Sequence, residues 1–140
     1  MNDRETQEKE FRILIAEDDP ANQRALEGYL RRLGHCDVVE NGEIALAHIE
    51  QAWEDETPYD LVCMDIHMPI LSGMDALLEI RKREAERGIL GLSGTRIMMI
   101  TTEDLSKSIL SAFKAGCEAY HVKPICEEKL FQELSKLGIS

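Results

Sequence analysis

The sequence predicts an α/β protein built on an open, five-stranded parallel sheet with helices on both faces. Four short apolar runs cover residues 13–16, 61–64, 97–100 and 119–122, and a weaker run covers residues 36–40. The stretches between them carry apolar residues at helical spacing. Short apolar strands that alternate with amphipathic helices are typical of right-handed βαβ units, whose parallel strands are buried on both faces.

The first half of the chain supplies three strands and two helices. After the first strand, Asp19 can cap a helix that begins at Pro20. We expect Gly34 to end this helix in the left-handed conformation. A turn at Asn41 starts the second helix, and the third strand ends at Asp65.

The second half supplies two strands and three helices. A loop bracketed by Pro69 and Gly73 leads into the third helix, which continues to about Arg87. We interpret the basic run at residues 81–83 as a solvent-exposed face of this helix. Gly116 closes the fourth helix, and a fifth helix follows the last strand.

Length and composition indicate one domain. The chain has 140 residues, of which 44% are hydrophobic, and this is enough for one ordinary core. Residues 1–10 are mostly charged and are predicted to be a flexible leader. Residues 11–140 are predicted to form the domain, without a separate output domain.

The charge of the chain limits its partners. With 27 acidic and 16 basic residues, the net charge is −11, which disfavours binding to nucleic acid or to anionic membranes. No apolar stretch reaches the roughly 20 residues that span a bilayer, and no signal peptide is evident, so we expect a cytoplasmic protein. The four cysteines lack metal-site spacing, and we interpret His35, His48 and His121 as surface residues.

Reactive polar residues follow four of the predicted strands. Glu17 and Asp18 follow the first strand, Asp65 the third, Thr101 the fourth and Lys123 the fifth. In parallel sheets, ligands bind at the carboxyl ends of the strands. Carboxylates beside an amine and a hydroxyl are suited to holding a divalent cation and a phosphoryl group together.

These motifs carry a resemblance to a known family. The acids at 17–19, Asp65 with His-Met-Pro at 67–69, Thr101, and the Lys-Pro pair at 123–124 resemble the response-regulator receiver domains of two-component phosphorelay signalling. The match runs from about residue 12 to residue 137. It implies the flavodoxin-like doubly wound sheet with strand order 2-1-3-4-5.

The resemblance implies that Asp65 accepts a phosphoryl group. It also implies that Glu17, Asp18, Asp65 and the backbone carbonyl of His67 bind Mg²⁺, with Mn²⁺ as an alternative. Crowding of these acids predicts raised pKa values without the cation.

Further residues gain implied roles in binding the phosphoryl group and in switching. Lys123 would pair with Asp65 and then with the phosphoryl group, and Pro124 would follow a cis peptide bond. Thr101 would donate a hydrogen bond from its hydroxyl to the phosphoryl group, and Tyr120 would rotate as the switch moves. Thr102 is bulkier than the small residue that the family often has at this position.

The resemblance also implies that the side chains of His67 and Glu103, two residues beyond Asp65 and Thr101, flank the path of the hydrolytic water, so we predict that they set the rate of dephosphorylation. The implied donor is a histidine kinase or a phosphotransfer protein. The implied output is a downstream protein bound by the fourth helix, fifth strand and fifth helix, and the resemblance also allows a homodimer on phosphorylation.

Two other functions stay open on sequence grounds. One is a receiver-like interaction scaffold that is not phosphorylated. The other is a Mg²⁺-dependent phosphatase with an aspartate nucleophile. The phosphatase is disfavoured because the expected pair of aspartates, separated by one residue, does not follow the first strand.

Overall fold

The computed structural model describes residues 10–140 and confirms the predicted architecture. Five parallel strands form one sheet in the order β2-β1-β3-β4-β5. The strands are β1 (Phe11–Ala16), β2 (Gly34–Val39), β3 (Leu61–Met64), β4 (Arg96–Thr101) and β5 (Ala119–Val122). The predicted leader at residues 1–10 lies outside the described residues, apart from Glu10.

Five α-helices connect and cover the strands. They are α1 (Pro20–Leu30), α2 (Gly42–Glu54), α3 (Gly73–Glu86), α4 (Ser106–Ala115) and α5 (Glu127–Lys136), with a short 3₁₀ turn at Gly91–Ser93. Side-chain caps start the first two helices, and the sequence predicts the first of these caps. Asp19 accepts a hydrogen bond from the Asn22 backbone N–H, and Asn41 accepts one from the Ile44 N–H.

The core consists of two apolar layers, one on each face of the sheet. Helices α2, α3 and α4 contribute to one layer, which includes Ile49, Leu77 and Ala112. Helices α1 and α5 contribute to the other, which includes Leu26 and Leu130. Because both faces are covered, the carboxyl ends of the strands remain as the accessible edge for a site.

The prediction that Gly34 ends the first helix is wrong. The helix ends at Leu30, and Gly34 instead opens β2 in a conformation without positive φ. A Cβ atom at Gly34 would lie 1.9 Å from the carbonyl oxygen of Phe11. This glycine is therefore required by the close approach of β2 to the start of β1.

Two predictions about polar surface are also wrong. His121 is fully buried, with Nδ1 2.7 Å from Glu133 Oε1 and Nε2 accepting from the Cys126 backbone N–H. Arg81 is mostly buried rather than solvated, because its guanidinium binds Glu84 and Glu118, both at 2.8 Å. Glu118 and Glu133 lie in other elements of the fold than Arg81 and His121, so helical or strand spacing does not reveal these pairs.

Among the described residues, no helix is both long enough and apolar enough to cross a membrane.

Candidate functional site

Three acidic side chains meet at the carboxyl edge of the sheet. Glu17 and Asp18 follow β1, and Asp65 follows the neighbouring β3. One carboxylate oxygen from each of the three lies within 4.8 Å of the others. Asp18 is exposed, whereas Glu17 and Asp65 are buried. The cluster is therefore open to solvent at Asp18 and closed at its base.

Lys123 supplies the positive charge in this cluster. It follows β5, and its Nζ lies 3.1 Å from Asp65 Oδ2 and 2.9 Å from Glu17 Oε1. Burial acts to lower the pKa of Lys123, but the two carboxylates outweigh this effect, so the pKa is raised above 10.5. The amine is therefore charged at physiological pH.

Glu17 is the acid of the cluster whose ionised form is disfavoured by its surroundings. Burial raises its pKa above the ordinary value of 4.5, with a further increase from Asp65, and the attraction to Lys123 does not cancel this effect. Its buried Oε1 is paired with the Lys123 amine at 2.9 Å. Three clustered carboxylates, two of them buried, are a donor set that fits a hard divalent cation.

We predict that Glu17→Gln stabilises the protein in the absence of divalent cations. The native state holds the Glu17 proton more tightly than the unfolded chain does, so its contribution to stability falls as the pH rises above 4.5. A neutral amide removes this cost at pH 7. The measurement is the urea midpoint in chelator, with Asp18→Asn as the exposed control; a lower midpoint for Glu17→Gln would contradict the electrostatic argument.

The residues expected to switch lie around the end of β4. Thr101 ends this strand, is fully buried, and its Oγ1 accepts a hydrogen bond from the Glu103 N–H at 3.4 Å. Thr102 is exposed. The Tyr120 hydroxyl donates to the Glu103 carbonyl at 2.8 Å, so Tyr120 already contacts the loop that follows Thr101.

The two residues that are predicted to affect dephosphorylation contact each other. His67 Nε2 contacts Glu103 Oε2, which joins the loop after β3 to the loop after β4. The pKa of Glu103 is lowered, first by a hydrogen bond with Ser108 and then by His67. The peptide bond between Lys123 and Pro124 is cis.

One residue that fixes the site has no clear signal in the sequence. The Gln23 side-chain amide donates to the backbone carbonyl of Glu17 at 2.5 Å, and the Asp19 N–H donates to the Glu17 carboxylate at 3.1 Å. A glutamine on a helix is usually a surface residue, so only the fold reveals that Gln23 holds the loop of the acid pair.

The fold and this acid cluster define the class of the protein, and comparison with known proteins agrees. The model of the response regulator receiver domain family matches residues 13–135. The chain belongs to the response-regulator receiver domains, which act in two-component phosphorelays.

Its relatives include a protein of about the same length and much longer proteins. It is 32% identical to the two-component response regulator ORR41 of Oryza sativa subsp. japonica over 135 residues, which cover 94% of this chain and 98% of that protein. It is 30% identical to the sensory/regulatory protein RpfC of Xanthomonas campestris pv. campestris, over 94% of this chain but 17% of RpfC.

Solved structures show the same fold. The receiver domain of sensor histidine kinase PA1611 from Pseudomonas aeruginosa PAO1, described with magnesium coordinated in its active-site cleft, is 29% identical with a TM-score of 0.74, covering 92% of this chain and 98% of that one. A chain of the CheX-CheY complex from Borrelia burgdorferi has a TM-score of 0.79 at 21% identity, covering 93% of this chain and 90% of that one.

Proposed function

We propose that this chain accepts a phosphoryl group on Asp65 and relays it as a change in a protein-binding surface. The observation that carries the proposal is the contact of Asp65 Oδ2 with Lys123 Nζ at 3.1 Å, beside the Glu17 and Asp18 carboxylates. A buried nucleophile paired with a fixed cation, next to two further acids, is suited to phosphoryl transfer. We also propose that residues 11–140 act as one receiver unit.

The transfer is an in-line displacement at phosphorus. An ionised oxygen of Asp65 forms the new P–O bond while the P–N bond of a phosphohistidine breaks, and the imidazole nitrogen keeps the electron pair. Lys123 exchanges part of its contact with Asp65 for a phosphoryl oxygen and stabilises the transferred charge. Hydrolysis returns Asp65 to a carboxylate and releases inorganic phosphate.

The residues that would hold Mg²⁺, or Mn²⁺, are Glu17, Asp18, Asp65 and the backbone carbonyl of His67. When bound, such a cation supplies Lewis-acid polarisation of the phosphoryl oxygens. A bound cation would favour the ionised form of Glu17 and would compete with Lys123 for its carboxylate, and Asp18 would be the ligand on the exposed side of the cluster. Cation binding is therefore expected to release protons most strongly at a pH below the raised pKa of Glu17.

The switch would begin at Thr101. Its buried hydroxyl bonds to the new phosphoryl oxygen and draws in the loop through Thr102 and Glu103. Because Tyr120 donates to the Glu103 carbonyl, movement of this loop changes the position of Tyr120. The output face consists of α4, β5 and α5, and a downstream protein or a second copy of the chain binds there.

The donor is a histidine kinase or a phosphotransfer protein, since the relatives include receiver domains of hybrid kinases. A phosphohistidine made from ATP implies action in the cytoplasm. The acidic chain, with a net charge of −11, is not expected to bind nucleic acid or a membrane.

Incubation with acetyl phosphate tests the proposal without a cognate kinase. With Mg²⁺, intact mass spectrometry should detect one added phosphoryl group, and chelator should prevent the addition. Absence of any addition with Mg²⁺ or Mn²⁺ would favour an interaction scaffold. Continuous release of phosphate from unrelated phosphate esters would favour a phosphatase.

We predict that the contact between His67 and Glu103 sets the lifetime of the phosphorylated form. The pair lies across the loops that border the site, so its removal opens a path for the hydrolytic water. His67→Ala and Glu103→Ala should each change the decay rate about 3- to 10-fold, as expected for the loss of one positioned polar contact.

The decay is measured by intact mass after removal of acetyl phosphate. Asp104→Ala, an exposed neighbour in the same loop, is the control and should decay like the unmodified sequence. An unchanged lifetime in either His67→Ala or Glu103→Ala would refute the role assigned to this contact.

A further inference from the structure

An open groove between α2 and α3 lies outside the acid cluster. Its volume is about 720 Å³. Leu46 and Leu71 form part of its lining and are buried or partly buried, whereas Ile70 and Leu78 are 74% and 52% exposed. Two large aliphatic side chains are therefore exposed to solvent beside the less exposed apolar lining of the groove.

Ile70 has a backbone conformation that its side chain disfavours. Its φ is 71°, and the Leu71 N–H donates to the Pro69 carbonyl at 2.7 Å, which closes a tight γ-turn around it. β-branched residues are rare with positive φ, where glycine or asparagine is favoured. Because Ile70 is 74% exposed, packing within the chain does little to offset this strain.

The turn that carries Ile70 is fixed to its surroundings. The Leu71 carbonyl accepts a hydrogen bond from the Gly42 N–H at the start of α2, at 3.2 Å, and the Gly73 N–H at the start of α3 donates to the Ile66 carbonyl at 2.8 Å. The groove therefore has a defined shape before any partner binds, which lowers the entropic cost of binding.

The rim of the groove is acidic. Glu43, Asp75 and Glu79 line it, and its one lining cation among the described residues, Arg83, is held by Glu79 at 2.8 Å and by Glu50 at 3.1 Å. A basic partner complements this rim. A second copy of the chain docked symmetrically on the same face would bring like charges together.

We propose that the groove between α2 and α3 is a docking site for a segment of a partner protein that carries aliphatic side chains flanked by lysine or arginine. The aliphatic side chains contact Ile70 and Leu78, and the basic residues contact the acidic rim. A contact of Ile70 with this partner would account for an exposed aliphatic side chain at a position with positive φ. The proposal is independent of phosphoryl transfer at Asp65.

Designed peptides test the site with the unphosphorylated chain. The probe is a fluorescent amphipathic helix of roughly 14 residues, about four turns, with leucine on one face and lysine on the other. A second peptide keeps the leucines and replaces lysine with glutamate, and a third keeps the lysines and replaces leucine with serine. Binding is measured by fluorescence anisotropy, and the surface is mapped by amide chemical shifts.

Three variants separate docking from folding. Ile70→Asn should weaken binding of the leucine-lysine peptide about tenfold while leaving the urea midpoint equal or higher, since asparagine tolerates positive φ. Leu78→Ser should weaken binding by a similar factor. Leu90→Ser is the matched control, because Leu90 is 68% exposed in the loop after α3 and lies outside the groove.

The outcomes distinguish the occupants. Tight binding of the leucine-lysine peptide, with shifts around Leu71 and Leu78 and no loss in Leu90→Ser, would support the proposal. Equal binding of the glutamate or serine peptide, or equal loss in Leu90→Ser, would overturn it. A dimer that Leu78→Ser dissociates would also overturn it, because the occupant would then be a second copy.

Discussion

Asp65→Asn is expected to abolish covalent phosphorylation. The amide is not a nucleophile toward phosphorus at neutral pH, and Asp65 is the acid of the cluster that follows β3 and contacts the Lys123 amine at 3.1 Å. Loss of a nucleophile typically lowers a reaction rate on the order of 1000-fold or more, so no mass increase should be detected.

The control for this variant is Asp104→Asn. Asp104 is exposed in the loop after β4, so its amide variant should be phosphorylated at the rate of the unmodified chain. The urea midpoint of Asp65→Asn should stay close to that of the unmodified chain, because the substitution removes one of three crowded acids. Phosphorylation of Asp65→Asn at an undiminished rate would move the acceptor to another residue.

Lys123→Ala has the second largest expected effect. It removes the amine that lies 3.1 Å from Asp65 Oδ2, and a single charged donor to a transferring group is commonly worth about 100-fold in rate. We therefore expect phosphorylation by acetyl phosphate to slow about 100-fold, while the chain still folds. Lys136→Ala, an exposed lysine at the end of α5, should leave the rate unchanged.

The pH dependence of phosphorylation gives an independent check on Lys123. Because the two carboxylates raise the pKa of Lys123 above its ordinary value, against the effect of burial, we expect the amine to stay charged at mildly alkaline pH. The rate in the unmodified chain should therefore not fall between pH 7 and 9 through loss of this charge. A decline in this range that disappears in Lys123→Ala would contradict the assigned charge state.

The sheet and the site edge could be predicted from sequence because they depend on local patterns. Four apolar runs ended in polar residues, and parallel strands bring their carboxyl ends to one edge. Glu17, Asp18, Asp65 and Lys123 follow from this rule, and the structure brings their side chains together.

The features that could not be predicted depend on contacts between distant segments. Gly34 resembled a helix stop, but its role is set by the backbone of Phe11 in the adjacent strand. Arg81 and His121 resembled surface residues, because their partners Glu118 and Glu133 are distant in sequence. Helical or strand spacing does not encode such polar pairs.

The strain at Ile70 was likewise not evident from sequence. The residue lies between Pro69 and Leu71 in a loop where any φ is plausible from composition. Only the hydrogen bond from the Leu71 N–H to the Pro69 carbonyl identifies the tight turn. Ile70 is exposed and lies in the loop that follows Asp65, so this loop forms part of the groove between α2 and α3.

Locating the phosphoryl group on the chain tests the central claim most directly. The phosphorylated chain is reduced with borohydride, which converts an aspartyl phosphate to homoserine, and the peptides are sequenced by tandem mass spectrometry. Homoserine at position 65, dependent on Mg²⁺, is the predicted result. Homoserine at position 18 or elsewhere, or none in a chain that gained phosphoryl mass, would contradict the assignment of Asp65 as the acceptor.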